Sequence, residues 1–198
     1  MKRTLLSLVL SSSVLFAPLV VAEQAPVLSD AALEAKLNTH RATLKQFMQQ
    51  LQKKLLTAVS ENGPVAALSV CNETAPEITT TISTDSGIGL KRTSLKVRNT
   101  SNAPDEWELK VLQDFEQQKA AGAGFKQLQY SEVVDMDGKQ VLRYMKAIPT
   151  MEKCLACHGS DIAPPIAEKL DALYPQDQAR DFKAGDIRGA FSTQEVLK

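Results

Sequence analysis

The chain has 198 residues, with 23 Lys and Arg balanced by 23 Asp and Glu, and 43% of its residues are hydrophobic. A formal charge of zero without a basic cluster argues against a nucleic-acid-binding footprint. Outside the N-terminal 22 residues no apolar run is long enough to cross a bilayer, and there is no internal repeat.

The chain begins with a basic Met1-Lys2-Arg3, a mostly apolar stretch from Thr4 to Val21 and a small-residue pattern, Val20-Val21-Ala22. These are the parts of a secretory signal peptide cleaved after Ala22, which predicts an exported, periplasmic or similar location. Residues 23–198 then form one domain with a helical extension over about 29–83. Ser29 or Asp30 caps a predicted helix reaching Asn62, whose apolar face is Leu33, Leu37, Leu44, Phe47, Met48, Leu51, Leu55 and Val59. Asn62-Gly63-Pro64 opens a second helix with the stripe Leu68, Cys71, Ala75, Ile78 and Ile82. Pro76 lacks a backbone donor and predicts a kink just after Cys71.

Gly87 and Gly89 mark a break, and Leu90 to Arg98 reads as an extended segment. Asn102 to Glu106 starts a third helix, with Trp107, Val111 and Phe115 as its buried stripe. Phe125–Met136 and Lys139–Ile148 read as strands joined by a hairpin turn at Asp137-Gly138. Ile162 to Tyr174 predicts a short helix, and Gly185 to Val196 a closing strand. This order predicts an α+β domain: an antiparallel sheet with helices on one face.

Between the hairpin and the last helix lies Cys154-Leu155-Ala156-Cys157-His158. Cys-x-x-Cys-His is the attachment pattern of c-type haem. Two thiols three residues apart on one turn can meet the two vinyl groups of a single porphyrin, and the following histidine can reach iron. The pattern predicts one covalent haem c, with Cys154 and Cys157 as thioethers and His158 as the proximal ligand. A structural zinc site of Cys71, Cys154, Cys157 and His158 is the rival reading.

Cys71 is the cysteine left over. An odd thiol in an oxidising compartment is buried, paired with another chain, or a ligand. His40, Met48, Met136, Met145 and Met151 are alternative ligands whose ordinary role is packing. Arg92, Arg98, Arg143, Lys146 and Arg188 are candidates for haem propionates, which need cationic partners when buried. Asp135 to Gly138 has the start of a calcium loop but no later acidic ligand, and reads as a turn.

Several segments together resemble a family of exported, PAS-like c-type haem proteins with cyanobacterial and proteobacterial members. They are Val70-Cys71 with Ala75-Pro76, Arg92 to Lys96, Arg98-Asn99, Asn102 to Asp105, Arg143 to Lys146, Cys154 to Gly159 and Gly185 to Ser192. The resemblance spans roughly residues 30 to 195. It implies a PAS-like antiparallel sheet with the N-terminal helices packed on it. It also implies a distal thiolate ligand from a helical cysteine, here Cys71, opposite His158. Family members also occur as sensor modules ahead of signalling domains; the sequence departs from that form, with no kinase, cyclase or chemotaxis output region expected after the last strand, which argues against a direct signalling role.

The expectation is a monohaem c-type protein that senses redox state or a diatomic gas, or serves an unidentified redox or signalling partner. A periplasmic electron-transfer cytochrome is the alternative. A peroxidase ranks last, because it needs an acid or base above an open iron, and the protein is expected not to be an enzyme. N-terminal sequencing of exported material should begin at Glu23; a full-length leader in the membrane fraction would contradict the cleavage site.

Overall fold

The computed structural model describes residues 28–197, so the expected leader over residues 1–22 lies outside the described residues. The first helix, α1 (Asp30–Asn62), starts where expected: the Ser29 hydroxyl accepts from the Ala32 N–H at 3.3 Å. Its buried face is Leu37, His40, Thr43, Leu44, Phe47 and Leu51. The apolar spacing continues past Leu51, but Leu56 is 65% exposed and Val59 42%. A 33-residue helix is about 50 Å long, and its last turns run beyond the surface that could cover them.

After Gly63 the chain forms α2 (Ala67–Ser69), a π-helical turn over Val70–Thr74, and α3 (Ala75–Ser86). The kink expected at Pro76 is instead this widened turn. The Ala75 N–H bonds to the Val70 carbonyl, a five-residue step, and Pro76 takes the first turn of α3, where its missing N–H costs nothing. Cys71 lies inside the π turn.

The extended run expected to Arg98 stops at Thr93, the end of β1 (Gly89–Thr93). The cause is Ser94: its hydroxyl accepts from the Lys96 N–H and donates to the Arg188 carbonyl, turning the chain off the ladder. A 3₁₀ turn (Thr100–Asn102) leads into α4 (Glu106–Ala120), which begins with a reciprocal Asp105–Glu108 capping box. β2 (Gln129–Met136) starts four residues later than expected and joins β3 (Lys139–Pro149) through Asp137-Gly138. Both turn residues have positive φ, 54° and 74°, as a two-residue hairpin of this twist requires. A 3₁₀ turn (Glu152–Cys154), α5 (Leu155–His158), α6 (Pro164–Leu173) and β4 (Ile187–Val196) complete the chain.

The four strands form one antiparallel sheet in the order β1-β4-β3-β2, so the fold is α+β as expected. The expected coverage of one face is corrected. Val141, Leu142, Arg143, Tyr144 and Met145 are consecutive and all buried, which requires both faces of β3 to be covered. On one face α1 and α3 pack Leu44, Phe47, Leu51, Ile78 and Ile82 over Leu90, Leu142, Tyr144 and Phe191. On the other, α4 packs Val111, Leu112 and Phe115 over Met145, Ala147, Ile187 and Ala190. Trp107, expected in the α4 stripe, is only half-buried; its ring lies under Arg143, with Cζ 4.2 Å from the centroid, and its Nε1 donates to Glu132. A third cluster of Leu68, Ile166, Leu170 and Tyr174 seats α6 against α2.

His40 is fully buried on the α1 face, with Nδ1 2.7 Å from Thr193 Oγ1 and Nε2 3.3 Å from Glu195 Oε2. A neutral ring donates from Nε2 to the carboxylate, and at Nδ1 it competes with the Tyr144 carbonyl, 3.1 Å from Thr193 Oγ1, for the single hydroxyl proton. Burial holds its pKa below the ordinary 6.5, against the opposing pull of Glu195. As pH falls through 6.5 the unfolded chain therefore takes the proton first, and stability present above that pH is lost. Stability measured by urea unfolding should fall between pH 7 and pH 5 in the wild type and fall less steeply in His40→Gln; equal slopes would show that His40 does not contribute.

Candidate functional site

Residues from seven stretches of chain enclose a pocket beside the α1 face of the sheet. Phe47, Met48 and Leu51 of α1 and Phe191 of β4 supply apolar walls. Cys71 of the π turn, Arg92 of β1, Arg98 of the following loop, His158 of α5 and Arg188 of β4 supply the chemistry. The π turn matters because it changes the helical phase at Cys71, and the thiol opens onto the pocket instead of entering the apolar core. Thr93 adds a buried hydroxyl that has no hydrogen-bond partner among the described residues.

His158 ends α5, with Cys154 and Cys157 on the same turn of chain. Its Nδ1 lies 2.9 Å from the Ala179 carbonyl oxygen. A carbonyl only accepts, so Nδ1 carries the proton and Nε2 keeps the lone pair, the tautomer a metal-binding histidine needs. Arg188 Nε lies 3.2 Å from Nδ1 and 3.4 Å from Nε2, and of the two only Nε2 has a lone pair to accept from it. Burial, then Arg188 and Arg98, push the His158 pKa down to about 3, so the ring is neutral at neutral pH.

The cysteines are free thiols and all three are partly buried. Burial raises the pKa of Cys71, against the pull of Arg92, Arg98 and Arg188, and burial raises Cys157 too. Around them stand the three arginines. Arg98 is paired with Asp177 at 3.1 Å. Arg92 and Arg188 have no carboxylate partner among the described residues and rest over the rings of Phe47 and Phe182. Burial lowers the pKa of Arg92, and burial followed by the neighbouring Arg98 and Arg92 lowers Arg188 to about 10. A buried like-charge cluster of this kind is stabilised by anions.

Sequence-expected residues divide clearly. Cys71, His158, Arg92, Arg98 and Arg188 line one pocket. Arg143, Lys146, Cys154 and Cys157 do not. Arg143 occupies an alternate position on β3, so it points to the α4 face, where it pairs with Asp105 at 2.6 Å. Lys146 is partly buried near Arg41, and burial lowers its pKa. Of the alternative ligands, Met48 lines the pocket; His40 is held by Thr193 and Glu195, Met145 sits in the α4 core, and Met136 and Met151 are exposed. No three His, Cys, Asp or Glu side chains converge tightly enough to hold a metal ion among the described residues, against the zinc arrangement.

A Tll0287-like family model matches residues 22–194. The chain belongs to the Tll0287-like family. A comparison with curated proteins returns no match. Among solved structures this Tll0287-like chain is similar to the cyanobacterial heme-protein Tll0287, with a TM-score of 0.62 and 21% identity. The match covers 83% of this chain and 96% of that one, and at this identity it speaks for the fold.

Sequence reasoning missed Asp177 and Ala179, the residues that hold Arg98 and His158. A backbone carbonyl leaves no trace in a sequence, and an aspartate in a loop looks like any solvated charge. Missed too was Gly189, with φ of 152°, where a Cβ would run into the Thr93 carbonyl and the Ser94 side chain. This close approach brings the end of β1 against the start of β4, next to Arg188. Gly189→Ala should destabilise the protein by about 3 kcal/mol, the upper end for overpacking, measured by urea unfolding. A loss under about 0.5 kcal/mol, the size of an ordinary surface change, would show that the crossing relaxes freely.

Proposed function

We propose that this protein is an exported monohaem protein of the c type, reading redox state or a small diatomic ligand for a protein partner. In this reading Cys154 and Cys157 form the thioethers, His158 supplies the proximal ligand and Cys71 the distal one. One observation carries it: His158, with its proton on Nδ1 and its Nε2 lone pair facing Arg188 Nε at 3.4 Å, and Cys71 open onto the same pocket from different parts of the chain. The family membership, the heme-protein title of the similar structure and the Cys-x-x-Cys-His spacing support it.

The residues fit the group. Bound haem supplies one-electron chemistry at iron and a coordination position that a small molecule can contest. Arg92 and Arg188, cations without carboxylate partners, match the two propionates. Phe47, Leu51, Val97, Ile148 and Phe191 provide the apolar walls a porphyrin face needs. Burial favours the Cys71 thiol and the three arginines offset that only in part, so coordination to iron would draw out the thiolate, and a thiolate ligand stabilises the ferric state.

The sensing assignment rests on the π turn. Such turns are rare, occur as single-turn bulges within α-helices and are frequent at functional sites. Cys71 sits within one, next to Pro76, which cannot donate to a tightened helix. That segment can release the thiol with little loss elsewhere. In this reading Cys71 would occupy the distal side, where a peroxidase needs an open position, so we assign a binding and redox role and no enzymatic one.

Two measurements test the proposal. Denatured protein in pyridine and reductant should give a c-type haemochrome, with one haem added to the mass, and the Cys154→Ala, Cys157→Ala double variant should lose the covalent link. In Cys71→Ala the low-spin thiolate signature of the ferric form should vanish and imidazole should bind. A ferric spectrum matching wild type would leave Met48 as the pocket residue to test. Retention of the thiolate in both oxidation states would favour an electron carrier over a sensor.

A further inference from the structure

Arg98 and Asp177 form a buried pair behind His158, with side chains 10% and 2% exposed. Asp177 Oδ1 accepts from Arg98 Nε at 3.1 Å and from the Ala179 N–H at 2.8 Å. The same guanidinium donates to the Ala179 carbonyl at 3.0 Å and to the Cys157 carbonyl at 2.6 Å. The Ala179 carbonyl is the acceptor for His158 Nδ1–H. Ala179 is therefore held at both its N–H and its carbonyl by one ion pair, and that carbonyl orients the imidazole. Two further bonds close the strap: Phe182 N–H to the His158 carbonyl at 2.9 Å and Asp181 N–H to the Gly159 carbonyl at 3.2 Å.

We infer that Arg98 and Asp177 are positioning residues for His158, setting the donor strength of its imidazole through the Ala179 carbonyl and so the reduction potential of the iron it binds. This rests on the haem reading above. A firm Nδ1–H bond to a carbonyl gives the ring more imidazolate character, which favours ferric iron. Loosening the carbonyl weakens that bond and favours the ferrous form. The pair acts without touching the haem, and neither residue changes charge when iron takes its one electron from a mediator.

The test uses the holoprotein, after wild type has shown a c-type haemochrome; its absence would sink the haem reading by itself. Arg98→Lys keeps the charge but replaces a planar fork that reaches three acceptors with a single point. Asp177→Asn keeps the shape and removes the carboxylate charge. Both should raise the midpoint potential, and in the reduced, isotope-labelled protein both should speed exchange of the His158 Nδ1 proton with solvent. Arg180→Gln removes the outer bonds to Asp177 and Asp171 and leaves Ala179 held. It should leave potential and exchange at wild-type values. An Arg98→Lys protein with lowered melting temperature but wild-type potential and exchange overturns the inference, because the pair would then be a structural clamp. So does failure of both variants to load haem while Arg180→Gln loads normally, which would assign the pair to folding.

Discussion

The guanidinium of Arg98 fills the gap between the loop after β1, the end of α5 and the stretch from Asp177 to Arg180. These segments share no regular structure, and their backbone groups would otherwise meet as unpaired carbonyls in a dry place. One planar cation with several fixed donors answers that demand, and a buried carboxylate neutralises it. Removing one member of such a pair costs about 3–5 kcal/mol, far more than a surface ion pair is worth. The position of His158, and with it the pocket's chemistry, depends on this junction.

The sheet divides the molecule's polar groups into two populations. On the α4 face, Arg143, Glu108, Asp105 and Lys91 form a closed network in which each charge has an opposite partner. It ties α4 to the sheet with its charges matched, although the buried Arg143 Nε has no hydrogen-bond partner among the described residues. On the α1 face, near the pocket, Arg92 and Arg188 have no carboxylate partner among the described residues. Evenly matched charge on one face and surplus positive charge on the other separates a structural network from a binding one. The formal neutrality of the whole chain conceals this asymmetry.

The second helical region shows how a local irregularity serves the site. A continuous α-helix from Ala67 to Ser86 would need a donor at residue 76, which proline lacks. Widening the preceding turn accommodates the proline and rotates Cys71 toward the pocket. The same widening keeps Leu68 and Ile78 in different clusters, one facing α6 and one facing α1. Stability and site geometry are therefore set by the same few residues.

Local chemistry determined much of this protein. Helix caps, the Asp-Gly hairpin and apolar periodicity act over a few residues, so α1, α4, the β2–β3 turn and β4 were readable with small errors at their ends. The Cys-x-x-Cys-His spacing was readable for the same reason, since two thiols and an imidazole on one turn meet one ligand wherever the turn is placed. Other features depend on long-range partners. Arg143 and Arg98 look alike in a sequence, yet strand alternation sends one to Asp105 and a loop sends the other to Cys157 and Ala179. The second covered face of the sheet, the π turn at Cys71 and the carbonyl behind His158 were likewise settled only by packing. Their energetics depend on burial and on backbone groups, which side-chain identity does not record.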